Sequence, residues 1–198
     1  MTDNEIVAFW HACDDLGEPI GPRLKLLLLT GCRRTELAGM LWSEIGADGT
    51  WVIPGSRTKN SRAHVVPLPP LAHKILASIK PIAGAAGYVF TTTGRTPVGG
   101  WSKIKNQLDT AMGTKAPWRL HDLRRTFVTG LADLGIRPDV IELAVNHRSG
   151  LRGGIAGVYN KSELLPERRA ALERWAAHVE GLVAGKPTKV VSMRTVQK

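Results

Sequence analysis

The spacing of apolar positions along the chain predicts a mainly helical protein. Thr2 and Glu5 have the spacing of a capping box, and the apolar residues behind them predict a helix to about Cys13. A helical period recurs in several later segments, which are 23–29, 33–41, 71–79, 101–112, 121–134, 138–147 and 166–182. Glycine or proline lies near the ends of most of these segments, as is typical of short helices joined by turns.

One part of the chain has the pattern of strands instead. Residues 51–53 and 63–68 are rich in β-branched and aromatic residues, and the polar, basic segment 55–62 joins them. This arrangement predicts an antiparallel hairpin with an exposed connection, and residues 88–90 indicate a further short strand. The expected fold class is therefore mainly α with a small antiparallel β-hairpin or sheet (α+β).

Length and composition indicate one ordinary domain without a membrane span. The chain has 198 residues, of which 43% are apolar, and its longest apolar run, 26–29, is far shorter than the roughly 20 residues of a membrane helix. The polar N-terminus does not have the pattern of a secretory signal. The two cysteines, Cys13 and Cys32, lack metal-ligand spacing, so a reduced, cytoplasmic setting is the simplest interpretation.

The charge is more informative about partners. Lys and Arg outnumber Asp and Glu by 27 to 17, which gives a formal net charge of +10. Such an excess suits a polyanion, either nucleic acid or an acidic membrane surface. The basic residues are spread over the whole chain, which favours a folded surface that cradles a duplex over a single basic arm.

Two short motifs could bind an anion. His121 and Arg124 are three residues apart, so on a helix they would share a face and could grip one phosphate. Arg33 follows a predicted helix break, and Glu36 is one turn later and could hold it in place. Each motif alone has an ordinary alternative, which is a solvated helix face for the first and a surface pair of Arg33 with Arg34 for the second.

Three other residues have side chains that could move a proton or attack phosphorus. Lys59 lies in the hairpin connection, where a lone lysine is usually just solvated. His147 ends the helix predicted from residue 138, and Tyr159 follows after a glycine-rich stretch. A tyrosine there would ordinarily belong to the core, and a phenol is a poor nucleophile at neutral pH unless cations or a base assist it.

Taken together, the order and spacing of these motifs resemble the catalytic domain of the tyrosine recombinase (phage integrase) family. The resemblance extends from about residue 3 to about residue 178, and five motifs in the right order are specific although each is weak alone. The matching motifs are Thr30-Gly31-Cys32-Arg33-Arg34-Thr35-Glu36-Leu37, Thr58-Lys59-Asn60 before Val65-Val66-Pro67-Leu68, His121-Asp122-Leu123-Arg124, His147 and Tyr159.

The resemblance implies a phosphate-binding role for four residues and a supporting role for a fifth. Arg33 and Arg124 would clamp the non-bridging oxygens of the scissile phosphate, with Glu36 supporting Arg33. His121 and His147 would hydrogen-bond the phosphate and assist proton transfer. Guanidinium groups suit this task because their planar fork donates two parallel hydrogen bonds.

The resemblance also implies which chemical reaction the site would catalyse. Tyr159 would attack the phosphate and form a 3′-phosphotyrosyl link, while Lys59 would protonate the departing 5′ oxygen. The covalent link conserves the phosphodiester energy, so rejoining needs no ATP, and fixed cations can replace a metal. No cofactor is therefore expected, and the sequence contains no Gly-x-x-x-x-Gly-Lys-Ser/Thr loop.

The chain also departs from the family pattern. Asn146 stands where the family usually shows Gly, and the spacing between His147 and Tyr159 is long. The family's N-terminal core-binding domain is absent, which predicts a catalytic fragment or a short member with weak DNA binding. The expected organisation is a catalytic domain over 1–182 and a basic tail over 183–198, flexible or contacting a neighbouring protomer.

The implied partner is double-stranded DNA, and no interaction with a membrane is expected. The resemblance implies a homotetramer on two DNA sites, accessory DNA-bending or directionality proteins, and a bacterial or phage-encoded origin. Two alternatives stay open, which are a type IB topoisomerase with the same chemistry and a catalytically inactive DNA-binding module. Relaxation of supercoiled DNA without sequence preference would indicate the first, and binding without a covalent adduct the second.

Overall fold

The computed structural model describes residues 1–84, 87–113, 117–147 and 164–185. These residues form eight α-helices and one two-stranded antiparallel sheet, with short 3₁₀ turns at Trp42–Glu44 and Gly55–Arg57. In chain order the elements are α1 (Asp3–Leu16), α2 (Ile20–Thr30), α3 (Arg34–Ala38), β1 (Thr50–Ile53), β2 (His64–Pro67), α4 (Pro70–Ser78), α5 (Trp101–Met112), α6 (Asp122–Asp133), α7 (Pro138–Ala144) and α8 (Leu165–Val183). The prediction of a mainly helical domain with a small antiparallel sheet is confirmed.

The predicted capping box at the start of α1 is present. The Thr2 hydroxyl accepts a hydrogen bond from the Glu5 backbone N–H at 3.3 Å, and the Glu5 carboxylate accepts one from the Thr2 N–H at 2.7 Å. Two of the donors that every helix N-terminus leaves unpaired are thereby satisfied. The bounds predicted for α5 are also those of the structure.

Other helix boundaries differ from the prediction. α2 begins at Ile20 rather than at 23, because Pro22 is tolerated in the first turn, where its missing N–H has no intrahelical partner. α3 ends at Ala38 and Gly39 follows it, and α7 ends at Ala144 rather than at His147. At the end of α7 the chain turns through Asn146, whose φ of +51° is left-handed and stops the helix.

The predicted antiparallel hairpin is present, and in its register Thr50 lies opposite Pro67 and Ile53 opposite His64. The strand predicted at 88–90 is wrong. Tyr88 makes only an isolated bridge with Leu41, which the Val89 N–H extends by donating to Met40 O, whereas Phe90 O accepts from the Val98 N–H in a different segment. Without a common partner strand no ladder forms.

The core is organised around α2, which packs against α1, α4, α6 and α8. Nearly every residue of α2 is buried, as expected of a helix that is apolar on all sides. Complete burial of leucines such as Leu24 and Leu28 stabilises the fold by about 1.5–3 kcal/mol each. From α8, Trp175 donates its indole N–H to Leu28 O at 2.9 Å and packs edge-on against Phe127. The C-terminal end of α2 is therefore held firmly from several sides.

None of the helices in the described part of the chain has both the length and the apolar character that crossing a bilayer requires. α8 ends at Val183, and the predicted tail lies outside the described residues from 186 onward.

We expect Gly31→Ala to destabilise the protein more than a matched change at Gly113. Both glycines end a helix in nearly the same left-handed conformation, with φ of +61° and +62°. At Gly31 an added Cβ would lie 2.3 Å from the ring of Phe127, whereas at Gly113 it would meet open space. Left-handed strain alone costs about 1–2 kcal/mol, and overpacking adds about 1–3 kcal/mol.

The measurement is the free energy of unfolding in urea for the wild type and both variants. Gly113→Ala isolates the backbone strain, so the difference between the two variants reports the ring contact. Equal losses in the two variants would show that the Phe127 side chain moves aside freely and that the packing at the end of α2 is loose.

Candidate active site

The end of α2 places Arg33 at the start of α3. Gly31 ends α2, and the Thr30 hydroxyl donates to Leu26 O at 2.7 Å while accepting from the Cys32 N–H at 3.3 Å. These buried bonds fix the turn between the two helices. Arg33 follows directly, in an extended conformation, as the residue before the first turn of α3.

Glu36 holds Arg33 in one orientation. Its carboxylate accepts hydrogen bonds from the Arg33 backbone N–H at 2.9 Å and from the guanidinium Nη1 at 2.7 Å. The Glu36 side chain is 2% exposed and the Arg33 side chain 24%. A carboxylate so deeply buried is stable only when paired, so Arg33 and Glu36 act as a unit.

Arg124 joins the ends of two helices through backbone oxygens. From α6 its Nη1 donates to Gly31 O at 2.7 Å and its Nη2 donates to Val145 O at 2.5 Å. Within the described residues these two carbonyls are its hydrogen-bond acceptors, so three of the five guanidinium N–H groups are left for a ligand. By donating to them, Arg124 satisfies two carbonyls at helix C-termini that lack intrahelical partners.

The electrostatics of this region favour an anion. Burial, and then the positive charge of nearby Arg33, lower the pKa of Arg124. Both effects mean that two cations are held together in a partly desolvated place, where a negative ligand would relieve their repulsion. Cys32 lies beside them, but burial raises its pKa to about 12, so it stays a neutral thiol and is not a nucleophile here.

Arg33, Arg124 and His121 line a single cleft of about 650 Å³. His121 is the residue before the first turn of α6 and is exposed. The Asp122 carboxylate fixes the turn that carries it by accepting from the Arg119 backbone N–H at 2.7 Å, and that bond is the main reason why the pKa of Asp122 is lowered. The structure thus brings three of the predicted site residues together.

The same cleft has basic and aromatic walls that the sequence reasoning missed. Lys105 lies over the ring of Trp118, with its ammonium 4.2 Å from the centroid, and the guanidinium of Arg34 lies 5.3 Å from the centroid of Trp101. All four residues line the cleft. Trp118 stands only three residues before His121, so its position next to that motif was the available signal.

His147 lies beside the cleft rather than in its lining. It follows the end of α7, where its backbone N–H donates to Glu142 O at 2.9 Å and its Nδ1 lies 2.6 Å from the Glu142 carboxylate. Its side chain is 54% exposed. The Glu142 contacts orient the ring, and the residue is two positions from Val145, which Arg124 binds.

Lys59 and Tyr159 complete the predicted set. Lys59 is exposed in the turn before β2 and is not part of the cleft lining. Tyr159 lies outside the described residues. A contact that the sequence reasoning missed connects the Lys59 turn to the His147 region, since the Asn60 and Asn146 side chains hydrogen-bond to each other.

Comparisons with known proteins agree with this picture. The family model described as the phage integrase family matches residues 1–161. Prophage integrase IntZ of Escherichia coli (strain K12) is 33% identical over 185 residues, covering 92% of this chain and 45% of the relative. Prophage integrase IntA of the same organism is 33% identical over 159 residues, covering 80% and 38%. The chain therefore spans less than half the length of these relatives.

Solved structures share the fold. A lambda integrase(75-356) dimer bound to a COC′ core site superposes with a TM-score of 0.61 at 20% identity, covering 78% of this chain and 59% of the other. The XerH site-specific recombinase in a pre-cleavage complex with difH gives a TM-score of 0.60 at 16% identity, covering 75% and 47%. The fold is that of tyrosine recombinase catalytic domains, and the chain belongs to the phage integrase family.

Proposed function

We propose that this chain is the catalytic domain of a site-specific DNA recombinase that cleaves and rejoins DNA through a 3′-phosphotyrosyl intermediate. The observation that carries the proposal is the cleft in which Arg33, His121 and Arg124 meet. Both guanidinium groups are fixed by protein oxygens before any ligand arrives. A site of this kind suits a phosphate diester better than a neutral substrate.

Preorganised cations lower the barrier of phosphoryl transfer. Negative charge spreads over the equatorial oxygens in the transition state, and Arg33 and Arg124 would stabilise it without reorganising. Glu36 keeps Arg33 in place, and the two carbonyls keep Arg124 in place. Neither a metal nor ATP is needed, because the reaction exchanges one phosphodiester for another.

The remaining residues take the proton-transfer roles. The Tyr159 phenol oxygen attacks phosphorus and loses its proton, which the histidines His121 and His147 help to transfer. The P–O5′ bond breaks, and the departing 5′ oxygen takes a proton from Lys59. Reversal of these steps rejoins the strand, so every bond that breaks is matched by one that forms.

Double-stranded DNA is the proposed substrate and partner. The net charge of +10 suits a polyanion, and the relatives are named as integrases. The neighbours of like fold were solved on a core site and on difH. The setting we propose is the bacterial cytoplasm, with a homotetramer acting on two DNA sites and accessory DNA-bending or directionality proteins assisting it.

We expect wild-type protein to form a covalent adduct on a nicked oligonucleotide substrate and Tyr159→Phe to form none. The nick lets the short 5′ fragment diffuse away, so the phosphotyrosyl link accumulates. Denaturing gel electrophoresis of labelled DNA measures it. If folded, DNA-bound wild-type protein forms no adduct either, the chain is a binding module rather than a recombinase.

We expect Arg124→Lys to lower the cleavage rate by about 10²–10³-fold, because a single ammonium cannot reproduce the fork that binds two carbonyls and a phosphate. Arg137→Lys is the matched control, since Arg137 is exposed and pairs only with Asp139 among the described residues. Single-turnover adduct formation measures both variants. Equal rates in the two would remove Arg124 from the site.

We expect removal of residues 186–198 to weaken assembly on DNA with two sites while single-site cleavage persists, because such tails contact a neighbouring protomer in the proposed tetramer. Native gel shift and light scattering report assembly, and the nicked substrate reports cleavage. Unchanged assembly would assign the protomer contacts to another part of the chain.

A further inference from the structure

Three consecutive residues at the C-terminal end of α7, 144–146, are bound from two other parts of the fold, the β-hairpin and α6. His64 Nε2, at the start of β2, lies 3.2 Å from the first carbonyl oxygen and donates to it. Arg124 donates to the second carbonyl oxygen. The third residue is bound through its side chain, by Asn60. This junction therefore joins the β-hairpin, α6 and α7.

The third of these contacts is a reciprocal pair of amides. The Asn60 Nδ2 donates to Asn146 Oδ1 at 2.8 Å, and the Asn146 Nδ2 donates back to Asn60 Oδ1 at 3.4 Å. The two residues are 86 positions apart in the chain, and Asn146 is only 4% exposed. Asn60 is exposed, but the buried Asn146 amide would be left unsatisfied on this side without it, which is costly for a buried polar group.

Asn60 also organises the turn that carries Lys59. Its Oδ1 accepts from the Arg62 backbone N–H at 3.3 Å and lies 3.2 Å from the Thr58 hydroxyl. The buried Thr58 hydroxyl in turn lies 2.7 Å from Arg62 O and can donate to it. One side chain thus fixes the turn internally and connects it to the end of α7.

We propose that the Asn60–Asn146 amide pair is a clip that positions Lys59 for proton transfer to the 5′ leaving group. The inference rests on the proposed function, in which Lys59 is the general acid. Asn60 and Asn146 are positioning residues, since they act through the turn and not on the reacting atoms.

A clip is needed because Lys59 is exposed at the tip of a polar turn and its four-carbon stem is flexible. The two arginines proposed to bind the phosphate, by contrast, are placed by helix ends, with Arg33 just after α2 and Arg124 in the first turn of α6. Displacement of a catalytic group by about 1 Å can reduce a rate about 100-fold. The clip bonds the turn that carries Lys59 to Asn146. Arg124 binds the preceding residue, Val145, so the proposed phosphate-binding arginine and the proposed general acid are held by the same segment.

Hydrogen exchange followed by mass spectrometry tests the clip without DNA. Asn146→Gly removes the side-chain amide without straining the backbone, because glycine readily adopts a φ of +51°. We expect exchange at least about 5-fold faster across residues 54–63, far away in sequence. Asn146→Asp is the conservative control, since its carboxylate can still accept from Asn60. Unchanged exchange in Asn146→Gly would overturn the clip.

A leaving-group experiment tests whether the Asn60–Asn146 pair positions Lys59 as the general acid. A nicked substrate with sulfur in place of the bridging 5′ oxygen expels a thiolate, which needs no general acid because a thiol is far more acidic than an alcohol. On the oxygen substrate we expect Asn146→Gly to slow cleavage by about 10- to 100-fold. On the sulfur substrate its rate should return to within about 3-fold of wild type, as should that of Lys59→Ala.

Arg33→Ala is the contrasting variant and should be slow on both substrates, because it removes charge stabilisation rather than the acid. Asn60→Ala should cost at least as much as Asn146→Gly on the oxygen substrate, because it removes the bond to the Arg62 N–H inside the turn as well as the amide pair. Equal losses on the two substrates, or no loss at all, would overturn the positioning role. Failure of the wild type to form an adduct would instead contradict the proposed function, while the exchange measurement would still decide whether the clip exists.

Discussion

The two hydrogen bonds that Arg124 donates to backbone oxygens hold the rest of the site together. One carbonyl belongs to Gly31, at the end of α2, and the other to Val145, just beyond α7. Helix C-termini leave carbonyls without intrahelical partners, and a guanidinium group can bind two of them and still have donors left over. A candidate catalytic arginine therefore also fixes the relative position of two helix ends, so that its structural and chemical roles share one orientation.

The core explains why that arrangement can be rigid. α2 is buried on all sides, and its last turn ends at a glycine against which the ring of Phe127 packs too closely for any Cβ. Arg33 is separated from Gly31 by one residue, so the packing at the end of α2 also fixes its backbone. Glu36 then fixes the guanidinium group. Two like charges near each other are costly in a partly desolvated cleft, and burial together with Arg33 lowers the pKa of Arg124. The fold supplies the energy that keeps them together and leaves their repulsion to be relieved by an anionic ligand.

The features that depend on residues close together in the sequence were predicted correctly. The capping box of Thr2 and Glu5, the bounds of α5 and the presence of the antiparallel hairpin all follow from residues close together in the chain. The missed features depend on tertiary contacts. The strand expected at 88–90 lacks a common partner, and no periodicity can show that Asn60 meets Asn146. The candidate site residues were predicted through resemblance, because an arginine that binds carbonyls looks in sequence like any surface arginine.

Asn146 combines a backbone requirement with a side-chain contact. The turn after α7 needs a left-handed residue, and glycine meets that need without strain, whereas asparagine is among the few other residues that tolerate it. Asparagine therefore keeps the turn and adds an amide, which reaches the lysine-bearing turn across the fold. A glycine in its place would preserve the backbone path but leave Asn60 without this acceptor. Asparagine thus meets the conformational requirement of the turn, and in the function proposed above its amide connects the turn that carries Lys59 with the segment that Arg124 binds.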